Sequence, residues 1–171
     1  LMMGARTAFD EALSAVSRGW PVFPVHTARE GRCTCRKGDT CDNPAKHPMT
    51  QHGLKDATVN GQLLDTWVRE FENPNWAVAT GPPSGLLVLD IDPKTGGDES
   101  LLELEATYGR LPETPTVLTG GGGQHLLFNA PGVPVKSTAG KLGDGLDIRC
   151  DSGYAILPGS MHASGRAYGW E

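Results

Sequence analysis

The stretch GLLVLDID, Gly85 to Asp92, constrains this chain more than any other. It is apolar until two carboxylates enter at alternate positions, and the turn sequences GPPSG and DPKTGG bound it, so it reads as a strand. Side chains alternate along a strand. Leu87, Leu89 and Ile91 therefore fill one face, and Asp90 and Asp92 project from the other. Two carboxylates on one face, with Cα atoms roughly 6.5–7 Å apart, repel unless a cation lies between them. Magnesium and manganese take such oxygen ligands and keep waters or substrate phosphates in their remaining positions. A solvated strand end entering a turn is the plainer reading of the same residues. Two further segments favour the metal: GQHLLF sets His125 at the start of a strand, and GLDIRC sets Asp147 between Leu146 and Ile148. Asp147 thus points away from its apolar neighbours, to the same side as Arg149. A third carboxylate on a neighbouring strand completes a metal site with a histidine and an arginine beside it.

The remaining elements follow from periodicity and punctuation. Thr7 to Asp10 forms a capping box with Asp in place of Glu, opening a helix through Arg18 that Gly19 stops. Phe9, Ala12, Leu13 and Val16 form its expected buried stripe. Trp20 to Val25 reads as a short strand, kept to a sheet edge by its two prolines. A second helix spans Asn60 to Phe71, burying Leu63, Leu64, Trp67, Val68 and Phe71. Trp76–Thr80 and Gly85–Asp92 read as neighbouring strands joined by GPPSG. A third helix spans Asp98 to Gly109, with Leu101, Leu104, Glu105 and Tyr108 on adjacent turns. Short strands follow near Thr116–Thr119, His125–Phe128, Leu146–Arg149, Tyr154–Leu157 and Ala167–Trp170. Early helices and a late run of strands indicate an α+β fold.

Residues 26–55 show neither period and are rich in Gly, Pro, Cys and His. A loop of this length needs a staple or a function. Cys33, Cys35, Cys41 and His47 supply three thiols and an imidazole in the spacing C-x-C-x5-C-x5-H, which suits tetrahedral zinc. His52 competes as the fourth ligand, and free thiols or one disulfide are the alternatives. Arg29, Arg32, Arg36, Lys37 and Lys46 make the insertion locally basic and able to contact DNA. Cys150 reads as a small buried apolar residue.

At 171 residues the chain suits one domain, and it lacks any run of about 20 apolar residues for a membrane span. Its net charge of −5 argues against tight non-specific binding to nucleic acid, although a carboxylate-rich metal site contributes to the same acidity. Three cysteines crowded together and one far off fit a reducing cytoplasm better than a disulfide framework. Leu1 to Met3 read as an expression remnant, and the end at Trp170-Glu171 as a cut from a longer protein.

In this order, D-x-D on a strand, Gly-x-His at a strand start and an apolar-Asp strand resemble the archaeo-eukaryotic primase superfamily. The closer resemblance is to the bifunctional DNA primase/polymerase (prim-pol) N-terminal domain of phage and plasmid replication proteins. It extends over RGWPVFPV, HGLKDAT, ATGPPSGLLVLDIDPKTGG, LPETPTVLTGGGGQHLLF, GLDIRCDSGYAILPGS and the closing H-x-S-G-x-x-Y-x-W. The resemblance implies an RNA-recognition-like catalytic sheet beside a smaller α/β unit, with the active site in the cleft between them. It implies template-directed nucleotidyl transfer with two divalent metals, Mg2+ or Mn2+, on Asp90, Asp92 and Asp147. His125 would contact the phosphates of the incoming dNTP or NTP. DNA template and primer, and a replicative helicase fused to or working with the domain, are the implied partners. Lys94, Lys141, Arg149 and His162 are candidate partners for triphosphate and template. Ser160 and His162, in PGSMH, match a family segment usually written with two prolines, the second replaced here by Gly159. The glycines of TGGGGQH are expected at the cleft rim, Gly122 and Gly123 against the nucleotide, Gly120 and Gly121 more dispensable. A nuclease or phosphohydrolase using the same ligands, or a non-catalytic DNA-binding replication domain, are the alternatives. No G-K-[ST] motif occurs, so a helicase motor would lie outside this chain.

Overall fold

A computed structural model describes residues 6–171, so the reading of residues 1–3 lies outside the described residues. The order is α1 (Ala8–Ser17), β1 (Val22–Val25), β2 (Ala28–Arg29), β3 (Arg32–Cys33), α2 (Gly61–Glu70), β4 (Asn75–Ala79), β5 (Leu86–Ile91), α3 (Gly97–Tyr108), β6 (Thr116–Leu118), β7 (Gln124–Asn129), β8 (Thr138–Gly143), β9 (Leu146–Arg149), β10 (Tyr154–Ile156) and β11 (Gly169–Trp170). Among the described residues, three α-helices and antiparallel sheets make this an α+β fold.

The helix ends form where local chemistry dictates. Thr7 Oγ1 accepts from Asp10 N at 3.1 Å, and Asp10 Oδ2 accepts from Thr7 N at 2.9 Å, which is the expected capping box. Asn60 Oδ1 caps α2 by accepting from Gln62 N and Leu63 N. The stripe of α1 differs from expectation. Leu13 is exposed while Glu11, Ala12 and Ala15 are buried. Glu11 is tolerated inside because Trp170 Nε1 donates to its carboxylate at 3.1 Å and Arg6 Nε lies 3.4 Å away.

Two sheets share one core. A three-stranded sheet has the order β1-β4-β10, and a six-stranded sheet has the order β11-β6-β7-β5-β9-β8. Proline-bearing β1 takes the expected edge. Trp76–Thr80 and Gly85–Asp92 are not sheet neighbours, however. The chain leaves one sheet and enters the other at GPPSG, with only a bridge between Gly81 and Leu86. The larger core joins Ala12, Val22, Phe23, Leu64, Trp67, Trp76 and Val78 to Leu86, Val88, Val117 and Leu127 of the second sheet. The opposite face of that sheet, with Leu89, Ile91 and Leu146, packs on Leu101 and Leu104 of α3. Tyr108, expected near that stripe, is exposed.

This division of faces positions the site. Leu86, Val88 and Asp90 share the face turned to the larger core, so Asp90 emerges where that apolar face runs out.

A candidate active site in a basic and acidic cleft

Three expected site residues stand in register across three adjacent strands. Asp90 on β5 pairs with His125 on β7 and with Asp147 on β9. Directly opposed residues on antiparallel strands share a face, so sheet register alone brings these side chains together. Arg149, two positions along from Asp147, pairs with Val88 and lies on the same face. Its Nη2 lies 3.0 Å from Asp147 Oδ2 and 3.6 Å from Asp90 Oδ2. His125 Nε2 lies 3.6 Å from Asp90 Oδ1. Asp92, just past the strand, accepts from Lys94 N at 2.9 Å through its carboxylate and so starts the following turn. The three aspartates are not drawn together as a tight ligand group: Asp147 is held by Arg149 and by Gly140 N at 2.9 Å.

These residues face a cavity of about 290 Å³ whose walls include Asp90, Asp92, Lys94, His125, Asp147, Arg149 and His162. A second cavity, about 280 Å³, adjoins it and shares Lys46, Asp90, His125, Arg149 and Tyr168. His125 is buried, and its Nδ1 has no hydrogen-bond partner among the described residues. Burial lowers its pKa, Asp90 opposes the shift, and Lys46 and Arg149 add to it, so the imidazole is neutral at pH 7. His162 is likewise lowered by burial and then by Lys46, Lys94 and Arg166. Both rings therefore offer hydrogen bonds rather than charge.

Several of the expected residues stand outside the cleft cavities. Ser160 lines neither cavity: it is fully buried, its Oγ accepting from Trp76 N at 3.1 Å and donating to Trp76 O at 3.4 Å. Lys141 is exposed on β8, a strand not foreseen, and lies outside both cavities. The glycine run also sorts differently. Gly120 is the least dispensable, because a Cβ there would overlap His162 and the Arg166 carbonyl. Gly123 lines the cavity, and its backbone lies against the Ile91 carbonyl, leaving no room for a side chain. Gly122 lines neither cleft cavity and faces open space; its φ of +94° serves the hairpin turn. Among the cleft residues to which sequence pattern assigns no place there are Lys46 and Tyr168. Lys46 was read only as part of a basic patch. Tyr168, whose pKa is raised by burial and by Asp90, packs on the His125 and His162 rings. The signal for Tyr168 was its place in the closing H-x-S-G-x-x-Y-x-W.

Residues 12–171 match the family described as bifunctional DNA primase/polymerase, N-terminal (Prim-Pol).

The chain belongs to the Prim-Pol family.

A comparison with curated proteins returns no match. Membership implies a nucleotidyltransferase-type enzyme of replication with DNA and nucleotides as substrates. No helix among the described residues is long and apolar enough to cross a membrane.

The insertion of this Prim-Pol domain folds around its thiols. Among the described residues, Cys33, Cys35, Cys41 and His47 form a group whose ligand atoms lie within 4.8 Å of one another. His52 is instead paired with Asp56 at 3.1 Å, so His47 is the fourth member. Cys33 Sγ and Cys41 Sγ lie 3.6 and 3.5 Å from His47 Nε2. A tetrahedron with Zn–S of about 2.3 Å and Zn–N of about 2.05 Å has an S···N edge of about 3.55 Å. The spacing of these donors therefore fits zinc. Cys150 is buried and apart, as expected.

Proposed function

We propose that this domain extends a nucleic-acid strand on a DNA template, as a primase and DNA polymerase of phage or plasmid replication. The observation that carries the reading is the His125–Asp90–Asp147 row, in register on one face, opening into a cavity with Asp92, Lys94 and Arg149. In this reading the six-stranded sheet is the RNA-recognition-like catalytic sheet, and the cleft beside it receives the nucleotide.

Asp90, Asp92 and Asp147 would hold Mg2+ or Mn2+. When bound, such ions activate the attacking 3′-hydroxyl and neutralise charge on the leaving pyrophosphate. The chain's own groups do the positioning. His125, neutral and buried, presents a hydrogen bond to a phosphate oxygen from a fixed strand position. His162 is held by its Nδ1 accepting from Ser164 N at 3.0 Å, which leaves Nε2 to face the cavity beside Gly121. Lys94 and Arg149 supply positive charge where the triphosphate accumulates negative charge. Cys33, Cys35, Cys41 and His47 hold a structural zinc that orders residues 26–55.

The test is extension of a primed template with dNTPs and Mn2+, comparing the unaltered domain with Asp90→Ala. Extension by the former and its loss in the latter supports the reading. Strand shortening without extension would point to a hydrolase, and activities indifferent to Asp90→Ala to a non-catalytic domain.

A further inference from the structure

Lys46 belongs to the Cys/His insertion, yet its side chain lines both cleft cavities. Its neighbours fix where it starts. Ala45 is fully buried in the left-handed region at φ 61°, a conformation a non-glycine residue keeps only when its surroundings impose it. The Ala45 N–H donates to Cys33 Sγ at 3.4 Å, and its carbonyl accepts from Asn75 Nδ2 at 3.2 Å. The Lys46 carbonyl accepts from Tyr154 Oη at 2.9 Å, and the His47 carbonyl from His26 N at 2.9 Å. Three consecutive carbonyls are thus tied to Asn75 of β4, Tyr154 of β10 and His26 just after β1, and the residues flanking Lys46 are a bonded partner and a member of the Cys3His group.

The charges differ as well. Arg29, Arg32 and Lys37 of the same insertion pair with Glu72, Asp39 and Asp42 on the exposed surface. Among the described residues Lys46 makes no ion pair, and neither do Arg36, Lys55 and Lys94. Of these four, Lys46 and Lys94 line the cleft cavity, together with His125 and His162.

We infer that Lys46 binds the triphosphate of the incoming nucleotide, and that the Cys3His site serves catalysis by holding Lys46 in the cleft. The inference rests on the polymerase reading. It makes the insertion part of the nucleotide site rather than a separate DNA-gripping knuckle. Asn75 strengthens the link, since the same amide donates to the carbonyls of Ala45 and Met161, the residue before His162. One side chain thereby ties the segment before Lys46 to the segment before His162.

The experiment measures equilibrium binding of a non-hydrolysable fluorescent dNTP with Mg2+, alongside KM and kcat for extension and primer-template affinity. Lys46→Ala should weaken nucleotide binding and raise KM roughly 10-fold or more, as expected for a lost charge-assisted contact. Primer-template affinity and the melting temperature should stay unchanged, and Lys46→Arg should restore most of the binding. Cys41→Ser should weaken nucleotide binding similarly, and adding Lys46→Ala to it should cost little more. Unchanged nucleotide affinity in Lys46→Ala, or a loss confined to primer-template binding, would overturn the inference while leaving the polymerase reading intact. Additive losses in the double variant would overturn the link to the Cys3His site. If the unaltered protein bound no dNTP and extended no primer, the polymerase reading would fail and take this inference with it.

Discussion

Ser160→Ala separates what the PGSMH segment does for the fold from what it does for the substrate. Sequence resemblance set Ser160 among the nucleotide contacts, but the structure buries it completely against Trp76. Its Oγ accepts from the backbone N–H of Trp76 at 3.1 Å and donates to the carbonyl of the same residue at 3.4 Å. Alanine removes both bonds in a place where the whole serine is out of water, a loss of about 1–3 kcal/mol. For a domain of this size that lowers Tm by roughly 2–10 °C. The loop itself should stay in place. Asn75 still accepts from Met161 N at 2.8 Å and donates to Met161 O at 2.7 Å, so His162 keeps its position in the cleft. The expected outcome is a lower Tm by calorimetry, with KM for the nucleotide and kcat within about twofold of the unaltered domain below the transition. An unchanged Tm with a KM raised several-fold would refute this reasoning and return Ser160 to the nucleotide site.

Gly120→Ala should destabilise by about 1–3 kcal/mol or more through overpacking on His162 and the Arg166 carbonyl. Gly122→Ala, strained but unobstructed, should cost about 1 kcal/mol, and denaturant titration of both ranks them; the reverse order would contradict the geometry. Arg149→Ala removes the counter-charge between Asp90 and Asp147, so Mn2+ binding without nucleotide should tighten roughly 2–5-fold, the scale of a partly exposed pair. Titration followed by electron paramagnetic resonance reads this directly, and weaker Mn2+ binding would contradict it. The Asp10 pKa is lowered by its hydrogen bonds from the Thr7 backbone and hydroxyl, so it stabilises α1 above the unfolded carboxylate range. That contribution should vanish as pH falls through the lower folded value. Thr7→Ala removes the hydroxyl but keeps the backbone donor, so it should flatten the acid limb of the stability–pH curve only in part and lower stability at pH 7.

Sequence pattern resolved what depends on a single segment. Alternation in LVLDID assigned the faces of Asp90 and Leu89 because one strand dictates its own period, and the Thr7 box is a contact between residues three apart. The path of the chain was less legible. GPPSG reads as a hairpin turn by composition, yet it carries the chain between sheets, because the partners of β4 are β1 and β10, drawn from distant sequence. Strand β8 was missed since Thr138–Gly143 is polar, exposed and glycine-bearing, with no burial to give it a period. Leu13 was misplaced for a related reason. Trp170 and Arg6 satisfy Glu11 from outside the helix, so the buried stripe is set by partners that α1 does not encode.

The cleft shows the same division at the level of charge. Alternation places Asp147 and Arg149 on one side of β9, but only register shows that Arg149 stands beside Val88, whose strand neighbour two positions on is Asp90. A guanidinium reaching back from there meets both carboxylates, at 3.0 and 3.6 Å. Two half-buried carboxylates facing each other need a counter-charge, and the chain provides it from within. The register thus sets one guanidinium against the carboxylates of two strands, a contact that neither segment encodes alone.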